Sequence, residues 1–153
     1  MIAPRKRSYE QLARVFRDVH NDANYCTLLA FSVITGKSAG KAIAIAKRYV
    51  DGYKERDGLS LSQMRDYFET EFGDDFRIYG GGFGTAEEAS KYEGRQFATV
   101  ARELQAAGGR WVITIANSKS AHAIAIRDGE IVDYTNADSK RKVYAVFQFD
   151  GVA

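Results

Sequence analysis

An α+β domain is the fold the sequence predicts, with N-terminal helices packed on a C-terminal antiparallel β-sheet. Three observations carry this. Apolar residues recur at helical spacing through most of the chain before Gly108-Gly109. Beyond that pair the period changes to two. Asp128-Gly129 then separates two alternating apolar runs, a strong short-range hairpin signal. Helices followed by strands, rather than alternating with them, is the α+β order.

The elements follow in chain order. Ser8-x-x-Gln11 has the form of a capping box, and Tyr9, Leu12, Val15, Phe16 and Val19 follow on one helical face. A second helix starts near Cys26 and stops at Thr35-Gly36, where glycine supplies the left-handed end. Ser38 caps a third, with Ala42, Ile45, Ala46, Tyr49 and Val50 on its inner face. Ser60 or Ser62 opens a fourth, with Met64, Tyr67 and Phe68 inward and Gly73 closing it. The run Tyr79-Gly80-Gly81-Gly82-Phe83-Gly84-Thr85 matches neither a dinucleotide fingerprint nor a phosphate loop. It reads as a flexible loop flanking a substrate cleft. Thr85-Ala86-Glu87-Glu88 suits the start of a short helix. The last helix runs from Gln96 to Ala106, with Phe97, Val100, Ala101 and Leu104 on one face.

Four strands are expected as a meander: Trp111 to Ile115, His122 to Arg127, Glu130 to Tyr134 and Lys142 to Phe149. In the last, Val143, Ala145, Phe147 and Phe149 alternate with Tyr144, Val146 and Gln148. The aromatics of the middle (Tyr67, Phe68, Phe72, Phe76, Tyr79, Phe83 and Tyr92) read mainly as core. With no linker or internal repeat, residues 1–153 are expected to form one domain.

Composition narrows the function classes. Apolar content of 45% and charged content of 27% are globular values. One cysteine excludes an internal disulfide framework and a cysteine-rich zinc site. The two histidines, His20 and His122, show no metal-ligand spacing, and no cofactor is implied. The basic stretch from Met1 to Arg7 has no apolar signal region after it, and no apolar run has bilayer length. A soluble, cytoplasmic protein without a membrane partner is therefore expected. A net charge of +2 does not argue for nucleic acid. Arg5-Lys6-Arg7 and Lys140-Arg141-Lys142 read as a solvated terminus and a solvated turn.

The candidate chemistry rests on Cys26 and His122. Asn21-Asp22-Ala23-Asn24-Tyr25 leads into the apolar helix that Cys26 opens. Partial positive charge and free backbone N–H groups at a helix start favour a thiolate. His122 opens a strand far downstream, the chain order of a Cys–His thiol enzyme. With Asp128-Gly129 as the turn, Arg127 pairs with Glu130 and Ile126 with Ile131. Extending that register sets Ile124 opposite Asp133 and puts Asp133 on the His122 face, with Asn136 as the rival orienter. The Cys26 N–H is the natural oxyanion donor. His20, Asn21 and Asn24 are candidates for a side-chain donor, and Asn21 is favoured. The plainer alternative is a cysteine that fills core space and a structural histidine.

Two segments resemble small papain-like cysteine peptidases. One is Tyr25-Cys26 through Ile34-Thr35-Gly36-Lys37. The other joins Gly109-Arg110-Trp111-Val112-Ile113, Ser120-Ala121-His122 through Asp133, and Ser139 through Tyr144. The likeness is closest to short proteins of bacteriophages and prophages, and broader to leader-cleaving peptidase domains of bacteriocin exporters. It implies a papain-like fold with a cleft between helices and sheet, a Cys–His–Asp thiol mechanism and a protein or peptide substrate. It also implies a location in host cytoplasm or virion. The chain departs from the pattern at Tyr25, where those proteins carry an acidic residue, and near His20, where papain-like enzymes carry a glutamine. Those departures leave a second expectation: a catalytically silent fold serving as a phage structural or host-interaction binding protein.

Overall fold

The computed structural model describes residues 11–19, 25–54, 57–115, 122–132 and 141–149. Among them, helices α1 (Val15–Val19), α2 (Cys26–Thr35), α3 (Ala39–Tyr49) and α4 (Leu61–Phe72) precede strand β1 (Arg77–Gly80). Then come α5 (Ala86–Ala89), α6 (Phe97–Ala107), β2 (Arg110–Ile115), β3 (His122–Arg127), β4 (Glu130–Val132) and β5 (Val143–Gln148). The class is α+β, as the sequence predicts.

Local signals set most helix ends. Ser38 accepts from the Lys41 N–H, and Ser60 forms a full capping box with Gln63. Thr85 does the same with Glu88. Gly36 closes α2 at φ 79°, its N–H donating to the Ser32 carbonyl. Two helical faces differ from expectation. The backbone widens to a π-turn over Val15–Val19, so apolar residues spaced for a regular helix no longer share a face. Phe16 is buried, while Val19 is 71% exposed. In α3 the inner face is Ala39, Ala42, Ile43 and Ala46, and Tyr49 is 55% exposed with Arg48 over its ring.

The sheet is antiparallel in the order β1-β5-β2-β3-β4. The expected four-strand meander holds only for β2-β3-β4. β5 returns to the far side of β2, where both its edges find hydrogen-bond partners, and β1 adds an unexpected strand whose last two residues, Tyr79 and Gly80, open the segment expected as loop. Gly80 ends that strand at φ 94°, where a Cβ would stand 2.7 Å from the Tyr144 carbonyl oxygen, so only glycine fits.

Both faces of the sheet are covered. Val112, Ala123, Ala125, Phe147 and Phe149 join the core beneath α2, α3 and α4. Ile113, Ile115, Ile124, Ile126, Val143 and Val146 join a second core with Phe97, Val100, Ala101 and Leu104 of α6. The strict alternation expected along β5 is broken, because Val143 and Val146, three residues apart, join the same core under α6. A bulge explains it: Thr114 pairs with Ala145 but Ile115 with Val143, leaving Tyr144 unmatched. Of the mid-chain aromatics, Tyr67, Phe68, Tyr79 and Tyr92 are buried, and Phe72 and Phe76 pack against the first core.

Candidate active site

Cys26 is the first residue of α2 and is half-buried. Its Sγ lies 4.0 Å from Thr27 Oγ1. Tyr25 precedes it and stacks on Phe16, ring centroids 5.9 Å apart and 5° from parallel. The Tyr25 carbonyl accepts from the Leu29 N–H at 2.8 Å, but its side chain provides no cap. The first N–H groups of α2 therefore face the Cys26 end without a capping side chain from the N-cap residue, and the helix dipole favours negative charge there.

His122 is the first residue of β3, half-buried and opposite Ile115. It stands at the same end of the α2–β3 pair as Cys26. α2 packs along β3, and Arg127 at the strand's C-terminal end donates to the Val33 carbonyl near the helix's C-terminal end, at 2.7 Å. Helix and strand thus run in the same direction. From Val33 back to Cys26 is ~10 Å of helix axis, and from Arg127 back to His122 is ~16 Å of strand.

Alternation adds a second fact. Ala123, Ala125 and Arg127 face α2, so His122 shares its parity with Ile124 and Ile126, which face α6. Strict pleating directs the imidazole to the sheet face opposite the one on which Cys26 packs. His122 is nonetheless the terminal residue of β3, and the bulge between Thr114 and Ile115 falls in the neighbouring ladder at that same end. The glycine loop leaves the sheet there too. Gly80, Ala145, Thr114 and Ala123 form one row across β1, β5, β2 and β3. The loop begins three strand spacings, ~14 Å, from β3.

The β3–β4 register is the one the hairpin predicts, Arg127 opposite Glu130 and Ile126 opposite Ile131. Asp128 at φ 50° and Gly129 at φ 84° are its turn. Asp133 and Asn136, the candidate orienters, lie outside the described residues, as do His20, Asn21 and Asn24. Among the described residues no group of three or more His, Cys, Asp or Glu could hold a metal ion. No single helix there is long and apolar enough to cross a membrane. An open depression of about 250 Å³ lies elsewhere, lined by Arg65, Glu69, Asp74, Phe76, Ile78 and Phe83 among others, with no residue from α2 or β3.

No protein-family model, no curated protein and no solved structure matches this chain. Sequence reading missed two features, one beside His122 and one at the opposite end of α2. One is the bulge, which no local signal marks, because β5 is apolar on both faces from Val143 to Phe147. The other is the bonding of Arg110 on β2 and Arg127 on β3 to the last carbonyls of α2, whose signal was two arginines at matching ends of two paired strands.

Proposed function

We propose that the protein is a papain-like cysteine hydrolase, a peptidase or isopeptidase. Cys26 is the nucleophile, His122 the general base and acid, and Asp133 the orienter, with Asn136 its rival. The observation that carries this reading is the common end of α2 and β3: the only cysteine opens the helix and His122 opens the strand it packs along.

The chemistry follows from those groups. The Cys26 thiol gives its proton to the imidazole, and the sulfur attacks the substrate carbonyl carbon. The resulting oxyanion is held by the Cys26 N–H at the helix start and by the Asn21 amide. The imidazolium protonates the leaving amine as the C–N bond breaks. Water then attacks the thioester, giving its proton to His122, and the sulfur leaves. An amine in place of water gives acyl transfer by the same steps. This reading requires the imidazole to turn round the end of the sheet to reach the sulfur; His122 is the terminal residue of β3, beside the bulge. The substrate is a protein or peptide, met in cytoplasm or, for a phage protein, in the host or virion.

The alternation of β3 favours a second reading, a silent papain-like fold used as a binding or structural protein. One experiment separates them: the rate of Cys26 alkylation by a small neutral reagent across pH, in wild type and His122→Ala. The hydrolase reading expects reactivity well below the free-thiol pKa of about 8.5 in wild type, lost in the variant. A free-thiol profile in both proteins would leave the binding reading standing.

A further inference from the structure

α2 has no polar face with which to fix its position. Every residue from Thr27 to Ile34 is buried, and β3 offers it Ala123 and Ala125, side chains too small to interlock against sliding. Its C-terminal end is held differently. The Ser32 carbonyl accepts from the Gly36 N–H at 2.8 Å, the ordinary closing bond. The next two carbonyls take arginines: Val33 from Arg127 Nη1 at 2.7 Å and Ile34 from Arg110 Nη1 at 2.6 Å.

These arginines are directly opposed, Arg110 at the first position of β2 and Arg127 at the last of β3. Like charges in that relation repel. The negative end of the helix dipole and two carbonyls lacking helical partners offset the repulsion, as do Asp128, with Oδ2 4.0 Å from Arg127 Nε, and Glu130, opposite Arg127 on β4. The Arg110 guanidinium also lies 5.3 Å from the centroid of the Phe72 ring on α4, which holds it in place.

We infer that Arg110 and Arg127 are positioning residues, a two-point clamp on the C-terminal end of α2 that sets how far Cys26 stands from the His122 end of the sheet. A slide by one residue is ~1.5 Å along the axis, and misplacement of about 1 Å is enough to cost a reaction on the order of a hundredfold. The catalytic meaning of the clamp rests on the hydrolase reading, while its geometric claim stands without it.

The test uses the sole cysteine as a reporter. A nitroxide on Cys26 broadens nearby backbone amide signals in NMR, and the pattern along β3 reads the position of α2. Arg127→Met and Arg110→Met are expected to change the broadening of the Ala123–Ala125 amides at least twofold. Arg127→Lys, which keeps a cation within reach of the carbonyl, is expected to fall between them and wild type, and it serves alone if a methionine variant does not fold. Unlabelled folded methionine variants are also expected to lose at least tenfold in Cys26 alkylation rate at pH 6, with the near-UV spectrum retained. A broadening pattern identical to wild type in folded variants overturns the clamp. A wild type without acid-shifted reactivity overturns the hydrolase reading instead, and the broadening still decides the clamp.

Discussion

Thr114 and Ala145 are joined twice through one hydroxyl. The Ala145 N–H donates to Thr114 Oγ1 at 3.0 Å, and the same oxygen donates to the Ala145 carbonyl at 3.1 Å. This is where the bulge interrupts the β2–β5 ladder, and the threonine side chain satisfies backbone groups that the missing ladder bonds would have served.

Thr114→Val keeps the shape and removes the hydroxyl, leaving a buried N–H and carbonyl without that partner. A loss of about 1–3 kcal/mol is expected, read as a lower urea midpoint at unchanged slope. Faster exchange of the Ala145 amide should accompany it. An unchanged midpoint would mean the bulge does not depend on the side chain.

Tyr67 predicts a pH effect. Its hydroxyl donates to the Ala42 carbonyl at 2.6 Å in the core between α3 and α4. Burial, and secondarily Tyr53, pushes its phenol far above the ordinary value of 10.0. The unfolded chain ionises at about 10 while the folded one holds its proton, so above that pH the unfolded state binds fewer protons. The contribution of Tyr67 is complete below about pH 10 and falls above it, by at most ~1.4 kcal/mol per pH unit. Tyr67→Phe should lose about 1 kcal/mol at neutral pH and show a shallower decline in stability at alkaline pH. Equal slopes for the two proteins would refute the assignment.

Ser60 and Ser62 separate a cap from a bystander. Ser60 Oγ accepts from the Gln63 N–H at 3.2 Å, and Gln63 Oε1 accepts from the Ser60 N–H at 2.8 Å. Ser60→Ala should lower stability by about 1 kcal/mol and Ser62→Ala by much less. Comparable losses, measured by thermal unfolding, would show that the capping box carries little of the stability of α4.

The elements visible in the sequence are those with local causes. The caps at Ser38, Ser60 and Thr85, the stop at Gly36 and the Asp128-Gly129 turn each act within a few residues. What escaped is non-local. β1 is a short strand beside a glycine run, and only pairing with β5, far along the chain, identifies it. The place of β5 beside β2, the outward turn of Tyr49 and the bonding of the two arginines to α2 all depend on which surface arrives from elsewhere. Cys26 at a helix start and His122 at a strand start were both legible, because a polar stretch running into an apolar one marks the first boundary and the change of period marks the second. The face on which His122 falls was not, since it depends on which helix covers each side of the sheet.

The central claim is a thiolate–imidazolium pair between Cys26 and His122, and the titration of the His122 ring by NMR tests it most directly. The chain has two histidines, so comparison with His122→Ala assigns the signal. In wild type the imidazolium should persist above its ordinary pKa of about 6.5, held by the thiolate, and in Cys26→Ala it should fall back toward that value. A His122 titration that is the same with and without the sulfur would contradict the account.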